Sequence, residues 1–474
     1  MEQNINIKQI PYIHKFKTPY NYYIYDVNTN SIIKINKELY EFDFEKHDEK
    51  FLSDNSKQLL HDFKELNLLS ANKISAIEHP ESEFLHSMLD RKVNAITLQV
   101  TQQCNLRCSY CVYSGNYNTR SHQNLKMDID IAKRSIDFLI AHSIDSPLLS
   151  IGFYGGEPLL EFELIKECMI YASSCSRGKE ISYNITTNGT LLTKEIIDFF
   201  IQYDVNITVS LDGDKDSHDK NRIFSKSGKG SFDVIKRNLI YIKNTYPDFY
   251  EKITFNIVLD PTNDFEVIDD FFNKDEMVKD SIINADFINE NYAIKKFQRN
   301  EKFFIMRNYE IFKMYLIKLN ILDKGSISNL ISDELEIIKN SIANRYMEEK
   351  LPEKCHHGGP CIPGVQKLFV NVKGDFYPCE RVSEKSEVMK IGNIKDGFYI
   401  NKARKILNVG KITEKTCRNC WAFRFCGLCC AYADNINDLS ASIKLKNCDS
   451  VKRFVEKNLK CYAMLKEFNY DFEN

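Results

Sequence analysis

Ala95-Ile-Thr-Leu-Gln-Val-Thr-Gln-Gln-Cys104-Asn-Leu-Arg-Cys108-Ser-Tyr-Cys111 is the stretch on which the fold turns. It opens as an apolar β-run and closes as a CxxxCxxC loop. Three thiolates on one tight loop can hold three irons of a four-iron cube and leave the fourth iron open. An open iron can bind a second molecule and pass it an electron. A zinc knuckle is the competing reading, but zinc asks for a fourth Cys or His close by, usually from a second paired motif. His122 is the nearby candidate, it is unpaired, and the next cysteine is Cys168.

The rest of the chain sets the frame for that loop. Its 474 residues give room for two or three domains and a sizeable core. A net charge of −2 exerts no general pull toward nucleic acid or an anionic membrane. No window approaches the run of about 18 apolar residues a membrane span needs, and the N-terminus lacks a signal-peptide core. The expectation is a soluble, cytoplasmic protein with neither membrane nor nucleic acid as partner. In that compartment 15 cysteines mean metal or catalysis rather than disulfides.

From 93 to 290, apolar β-runs near 95–101, 148–153, 182–187, 206–211, 252–258 and 283–288 alternate with helical patterns, Met127–His142 and Phe162–Ser174 among them. Strands separated by helices predict a parallel sheet with right-handed crossovers. Functional residues then belong at the strand C-terminal ends. Residues 1–75 read as a small α/β unit: Tyr20-Asn-Tyr-Tyr-Ile-Tyr and Ser31-Ile-Ile-Lys-Ile flank a turn, and Leu59, Leu60, Phe63 and Leu66 share one helical face. Residues 291–350 read as a helical connection without a chemical motif. Residues 351–474 crowd with cysteines. Cys168 and Cys175, seven apart on a predicted helix, read as buried packing.

The CxxxCxxC run, with Tyr110 just before its last cysteine, resembles the radical S-adenosylmethionine (SAM) signature. Tyr154-Gly-Gly-Glu-Pro158, at the end of the second strand, resembles that family's GGEP motif, whose backbone and carboxylate receive the methionine ammonium of SAM. The resemblance implies a partial (β/α)6 TIM-type barrel, an α/β fold, with Tyr110, Gly155, Gly156 and Glu157 at the cofactor. Asn188 and Ser210 end the third and fourth strands, where small amides and hydroxyls suit ribose and carboxylate bonding. His218-Asp-Lys-Asn-Arg222 resembles the family's HDxxR segment, whose arginine pairs with the SAM carboxylate. Tyr113, Asn116 and Arg120 follow the loop and are expected at the substrate mouth.

Cys361-x12-Gly374-x4-Cys379, then Cys417-x2-Cys420-x5-Cys426-x3-Cys430 and Cys448, resembles the SPASM extension, which carries two auxiliary four-iron clusters. Carried over by position, Cys417, Cys420, Cys426 and Cys448 hold the outer cluster. Cys361, Cys379 and Cys430 hold the inner one with Cys355 as fourth ligand, although some peptide maturases leave that iron open, and Cys429 confuses the count. Cys461 has no assigned role. Glu380 follows Cys379, where sulfatase-maturating relatives carry an aspartate proposed as general base; a surface glutamate paired with Arg381 is the alternative.

The N-terminal unit resembles a precursor-peptide recognition domain (PqqD-like), a winged-helix-like fold that takes a leader peptide as an added strand. With the segments Cys104–Tyr117 and Gly358–Gly364, the whole most resembles thioether-forming maturases of Cys-rich peptides, of the ranthipeptide and sactipeptide kinds. The resemblance implies SAM and three [4Fe–4S] clusters as cofactors, one binding SAM and two auxiliary. It implies a flavodoxin or ferredoxin-type electron donor, and a 5′-deoxyadenosyl radical that takes hydrogen from a substrate carbon before a cysteine sulfur joins it. An anaerobic sulfatase maturase, making formylglycine, is the rival enzyme. An electron-relay or peptide-binding protein is the rival of another class.

Overall fold

The computed structural model describes residues 10–323, 327–345 and 350–473. Parts of three expected segments, residues 1–9, 324–326, 346–349 and 474, lie outside the described residues.

Six parallel strands form the centre: Ala95–Thr101, Leu148–Gly155, Glu180–Thr187, Asn206–Ser210, Thr254–Leu259 and Ile282–Phe287, each paired with the next in sequence order. All six coincide with runs read from the sequence. Helices Ile129–Ala141, Phe162–Cys175, Lys194–Gln202, Phe232–Thr245 and Phe265–Lys274 fill the crossovers. The first begins two residues later than the apolar pattern suggested. Asp128 is extended there, and its carboxylate accepts from the Asp130 N–H at 2.8 Å, so it caps the helix instead of entering it.

Strand periodicity divides the sheet into a dry side and a polar side. Ile151, Tyr183, Ile207, Val209, Phe255 and Ile257 are buried in the helix-facing core. Their neighbours Thr97, Gly152, Asn184, Thr186, Thr208 and Asn256 line one shared cavity of about 400 Å³ on the opposite face. Strands one to five all contribute to that cavity, so the sheet curls around it. Among the described residues it does not close: the sixth strand has only the fifth as partner, while beyond the first strand the sheet runs on through Leu368–Val370, Asp375–Tyr377, Gly392–Asn393 and Gly397–Phe398. Leu368–Val370 is parallel to the first strand and the others are antiparallel. Gly374, at φ +83°, makes the turn into Asp375–Tyr377; a Cβ there would also lie 2.7 Å from an Ile394 methyl. The cysteine-rich segment is thus built onto the barrel's first edge.

The N-terminal strands Ile13–Lys17, Tyr22–Asp26 and Ser31–Ile35 form an antiparallel sheet of their own. Ile24 and Ile35 join Leu39, Phe42, Leu52 and Leu60 in a small separate core under helix Asp54–Glu65. Tyr23 and Tyr25 alternate to the other face and enter the main core. That face docks on the C-terminal segment: His14 stacks on Trp421 with ring centroids 3.6 Å apart, and Tyr12 Oη donates to the Cys420 carbonyl at 2.7 Å. Among the described residues no helix is long and apolar enough to cross a membrane.

Candidate functional site

The first strand ends at Thr101 and delivers the cysteine loop to the mouth of the sheet. A second backbone segment braces that loop. Arg107 N–H donates to the Ile223 carbonyl at 2.8 Å, Ser109 N–H to Asn221 at 3.3 Å, and Ser225 N–H to Asn105 at 2.8 Å. The Gly-Gly turn lies directly against it. A Cβ on Gly156 would sit 2.0 Å from the Gln103 carbonyl oxygen, so only glycine admits the loop at this distance.

Cys104 and Cys108 each sense the charge of Cys111, and Cys108 senses Cys104 as well, so the trio shares one field. Leu106 N–H points at Cys104 Sγ at 3.3 Å, Tyr113 N–H at Cys111 Sγ at 3.5 Å, and Asn188 Nδ2 at Cys104 Sγ at 3.8 Å. Donors aimed at sulfur favour the thiolate. Burial does the reverse and pushes the Cys104 and Cys108 thiols up to about 12. Such thiols give up their protons to a soft metal rather than to water. Among the described residues no three His, Cys, Asp or Glu side chains converge tightly enough for a single metal ion. His122 turns to the Gln102 carbonyl, at 3.3 Å, and to the Tyr113 ring. Three soft ligands on a loop without a fourth suit a cube with one open iron.

Glu157 is buried, and both its oxygens have protein partners. Oε1 accepts from Thr187 Oγ1 at 2.7 Å and from Leu159 N–H at 3.1 Å, and Oε2 from Asn188 N–H at 2.8 Å. Burial lifts its carboxyl to about 7 against these donors. In this structure it ties the Gly-Gly turn to the end of the third strand. Asn188 reaches the cluster loop through Asn105 Oδ1 at 2.8 Å. Ser210 ends the fourth strand, half-buried.

Arg222 has a partner that the sequence reading missed. Its Nε and Nη2 engage Asp212 at 2.8 and 3.1 Å, and its guanidinium lies 5.5 Å over the Tyr110 ring, whose hydroxyl also donates to Asp212. Burial would raise the Asp212 carboxyl, but the guanidinium beside it overrides that and holds it below the usual range. Arginine, aspartate and tyrosine form one buried knot under the loop. The Ser210-Leu-Asp-Gly213 run held the signal, since a carboxylate at a strand end ten residues before an arginine is a candidate pair.

Tyr113 and Arg120 do not line an open mouth; both are buried. Arg120 Nε pairs with Glu384 at 2.8 Å, while Nη1 and Nη2 donate to the Glu380 and Val382 carbonyls at 2.8 and 2.7 Å. It clamps the cysteine-rich segment to the barrel. Asn116 is exposed, with Nδ2 donating to the Ser109 carbonyl at 3.0 Å. Glu380 lines the cavity and pairs with Lys367 at 2.7 Å, not with Arg381.

The later cysteines gather in two places. Cys420, Cys426 and Cys448 gather around Cys417, each sensing its charge. Cys379, Cys429 and Cys430 form the second group. The Cys430 thiol donates to Cys429, which with nearby backbone N–H groups holds Cys429 below the usual thiol range despite burial. Cys361 is exposed and Cys355 buried. The Tyr12 phenol senses Cys355 together with Cys420 and Cys417, so Cys355 lies on the side of the first group. Cys168 and Cys175 pack within helix Phe162–Cys175, as expected.

Residues 98–274 match the family model of the Radical SAM superfamily. The chain is 26% identical over 389 residues to a cysteine-type anaerobic sulfatase-maturating enzyme from Clostridium novyi, covering 78% of this chain and 96% of that protein. It is 30% identical over 177 residues to the radical SAM cyclopropyl synthase TigE of Paramaledivibacter caminithermalis, covering 35% of this chain and 37% of that one. Its fold is shared with native anSMEcpe with bound AdoMet, at a TM-score of 0.58, 18% identity, and coverage of 78% of this chain and 99% of the other. The chain is a radical SAM enzyme, and its cofactors are SAM and iron–sulfur clusters.

Proposed function

We propose that this enzyme modifies a ribosomally made, cysteine-rich precursor peptide, joining cysteine sulfur to carbon within the peptide. Cys104, Cys108 and Cys111 would hold the SAM-binding cluster, and the Gly155–Gly156 backbone, Tyr110, Asn188, Ser210 and Arg222 would surround the nucleotide. Cys417, Cys420, Cys426 and Cys448 would hold the outer auxiliary cluster. Cys361, Cys379 and Cys430 would hold the inner one, with Cys429 or Cys355 as the fourth thiol; the company Cys429 keeps with Cys379 and Cys430 favours Cys429.

The observation that carries the reading is the N-terminal sheet. Among the described residues, Ser31–Ile35 is hydrogen-bonded on one side only, to Tyr22–Asp26. An unpaired strand edge is a template for an extended peptide. The sheet's other face rests on the cysteine-rich segment, so a leader held at that edge tethers its core peptide to the domain that carries the chemistry. About a fifth of this chain falls outside the match to the sulfatase-maturating relative, which is itself almost wholly covered.

Bound in the barrel, SAM and its reduced cluster supply abstraction of a hydrogen atom from an unactivated carbon, and the auxiliary clusters a place for the electron that leaves when sulfur joins that carbon. The chain's own residues do the rest. Thr97, Asn184, Thr186, Thr208 and Asn256 give the cavity a polar lining that orients substrate. Glu380, on that cavity and held by Lys367, accepts the proton of the substrate thiol. The peptide loses two hydrogens per bond, one as an atom and one as this proton.

Anaerobic incubation with a cysteine-rich precursor, SAM and reductant should yield a peptide two hydrogens lighter per crosslink, with the linked thiols closed to alkylation. The second reading is formylglycine formation, favoured by the extent of the sulfatase-maturating match. An aldehyde product captured by a hydrazide would select it.

A further inference from the structure

Helix Ala441–Leu445 buries a lysine. Lys444 is 1% exposed, among the largest fully buried side chains of the protein. Its ammonium donates to Thr413 Oγ1 at 3.0 Å and to Cys417 Sγ at 3.7 Å. Thr413 Oγ1 is itself 3.1 Å from Cys417 Sγ, so hydroxyl, ammonium and sulfur form one contact. Among the described residues Lys444 makes no ion pair with a carboxylate. The imidazoles nearby bring no negative charge. His357 Nδ1 meets the Cys426 carbonyl at 3.0 Å, and His356 Nε2 accepts from the Gly410 N–H at 2.8 Å.

A buried ammonium without an anion is among the costliest arrangements a fold can hold. The groups that can supply negative charge here are sulfurs: besides Cys417, its field reaches Cys426 and Cys448. Three members of the outer set thus face one cation. Four thiolates around a four-iron core leave a net negative charge, and one-electron reduction adds another. A fixed positive charge stabilises the reduced form more than the oxidised form, and so raises the potential.

We infer that Lys444 is the built-in counter-ion of the outer auxiliary cluster and holds that cluster's reduction potential up, so that it can take the electron released at the substrate. The inference rests on the outer-cluster reading given above. Lys444 acts through the cluster and is a positioning residue, so the test reads potentials.

The reconstituted holoenzyme is compared with Lys444→Met and Lys444→Arg by iron content and by redox titration of each cluster's paramagnetic signal. In Lys444→Met, the midpoint of one auxiliary signal should fall to more negative potential while the other signals stay put, and Lys444→Arg should restore it. If Lys444→Met fails to take up the outer cluster but Lys444→Arg succeeds, charge is again what matters, and the inference stands. It is overturned if Lys444→Met assembles fully with an unchanged midpoint, or if both variants shift or lose the cluster alike. A wild-type protein that binds iron for the first cluster alone would instead refute the outer-cluster reading, before any variant is made.

Discussion

At Gly156, one methyl group would decide whether the proposed SAM-binding cluster can form. A Cβ there would meet the Gln103 carbonyl oxygen at 2.0 Å, one residue before Cys104. Gly156→Ala is expected to push the loop away and cost the protein roughly four irons per chain, read by iron and sulfide assay, with SAM cleavage lost. Arg120 makes a different kind of demand. Replacing it with Met strands the buried Glu384 carboxylate and frees two carbonyls, and should destabilise the fold by about 3–5 kcal/mol in denaturant titrations. His218 is buried, accepting from the Asp212 N–H at 3.2 Å through Nδ1, and burial pushes its pKa down to about 4. The unfolded chain binds the proton first, so this contribution is present above pH 6.5 and is lost as pH falls from 6.5 to about 4. A depression of this size is worth about 3 kcal/mol. His218→Asn keeps an acceptor and removes the titration, so its stability should fall less steeply than wild type across that window. The cysteine spacings and the GGEP run were legible because each is local in the chain. Asp212 beside Arg222 had a local signal that went unread, whereas Glu384 beside Arg120 and Lys444 beside Cys417 had none, since nothing in a sequence says which distant charges will be buried together.

Among the elements, the barrel strands were legible and the strands that extend the sheet were not. Runs such as Leu148–Gly155 repeat the dry and polar alternation long enough to read, whereas Leu368–Val370 and Gly392–Asn393 have two or three residues and no periodicity. Cys355 was carried over to the inner group from the family resemblance; in the structure it ends the short strand Lys354–Cys355 that pairs with Ala76–Ile77, a pairing that the resemblance does not record. The strands Tyr22–Asp26 and Ser31–Ile35 fall on the β-rich runs of the sequence, but Ile13–Lys17 and the docking of the sheet on the C-terminal segment were not read. The edge strand carries its own prediction. Proline at Ile33 and at Lys34 tests both faces of the backbone, because one of the two N–H groups points away from Tyr22–Asp26. The variant that blocks the outward N–H should lose binding of a labelled leader peptide while cleaving SAM at the wild-type rate. Undiminished binding in both variants would rule out strand addition there.

Across the whole molecule, three parts meet at two seams. Arg120 joins the barrel to the cysteine-rich segment, and the His14–Trp421 stack, with Tyr12 on the Cys420 carbonyl, joins that segment to the N-terminal sheet. Deleting the sheet would therefore strip cover from Trp421 and Phe425, and should disturb the outer cysteines as well as the leader edge. Loss of iron together with peptide binding in such a deletion is the expected result, which makes edge substitutions the cleaner probe. The central claim is that hydrogen leaves a carbon of a captured peptide and sulfur takes its place. The most direct measurement supplies a cysteine-rich precursor deuterated at its non-cysteine residues and follows the label by mass spectrometry in one anaerobic reaction. The account predicts deuterium in the 5′-deoxyadenosine and a peptide that has lost one deuterium and one thiol hydrogen per bond. Deuterium-free 5′-deoxyadenosine beside an unlinked or aldehyde-bearing peptide would contradict it.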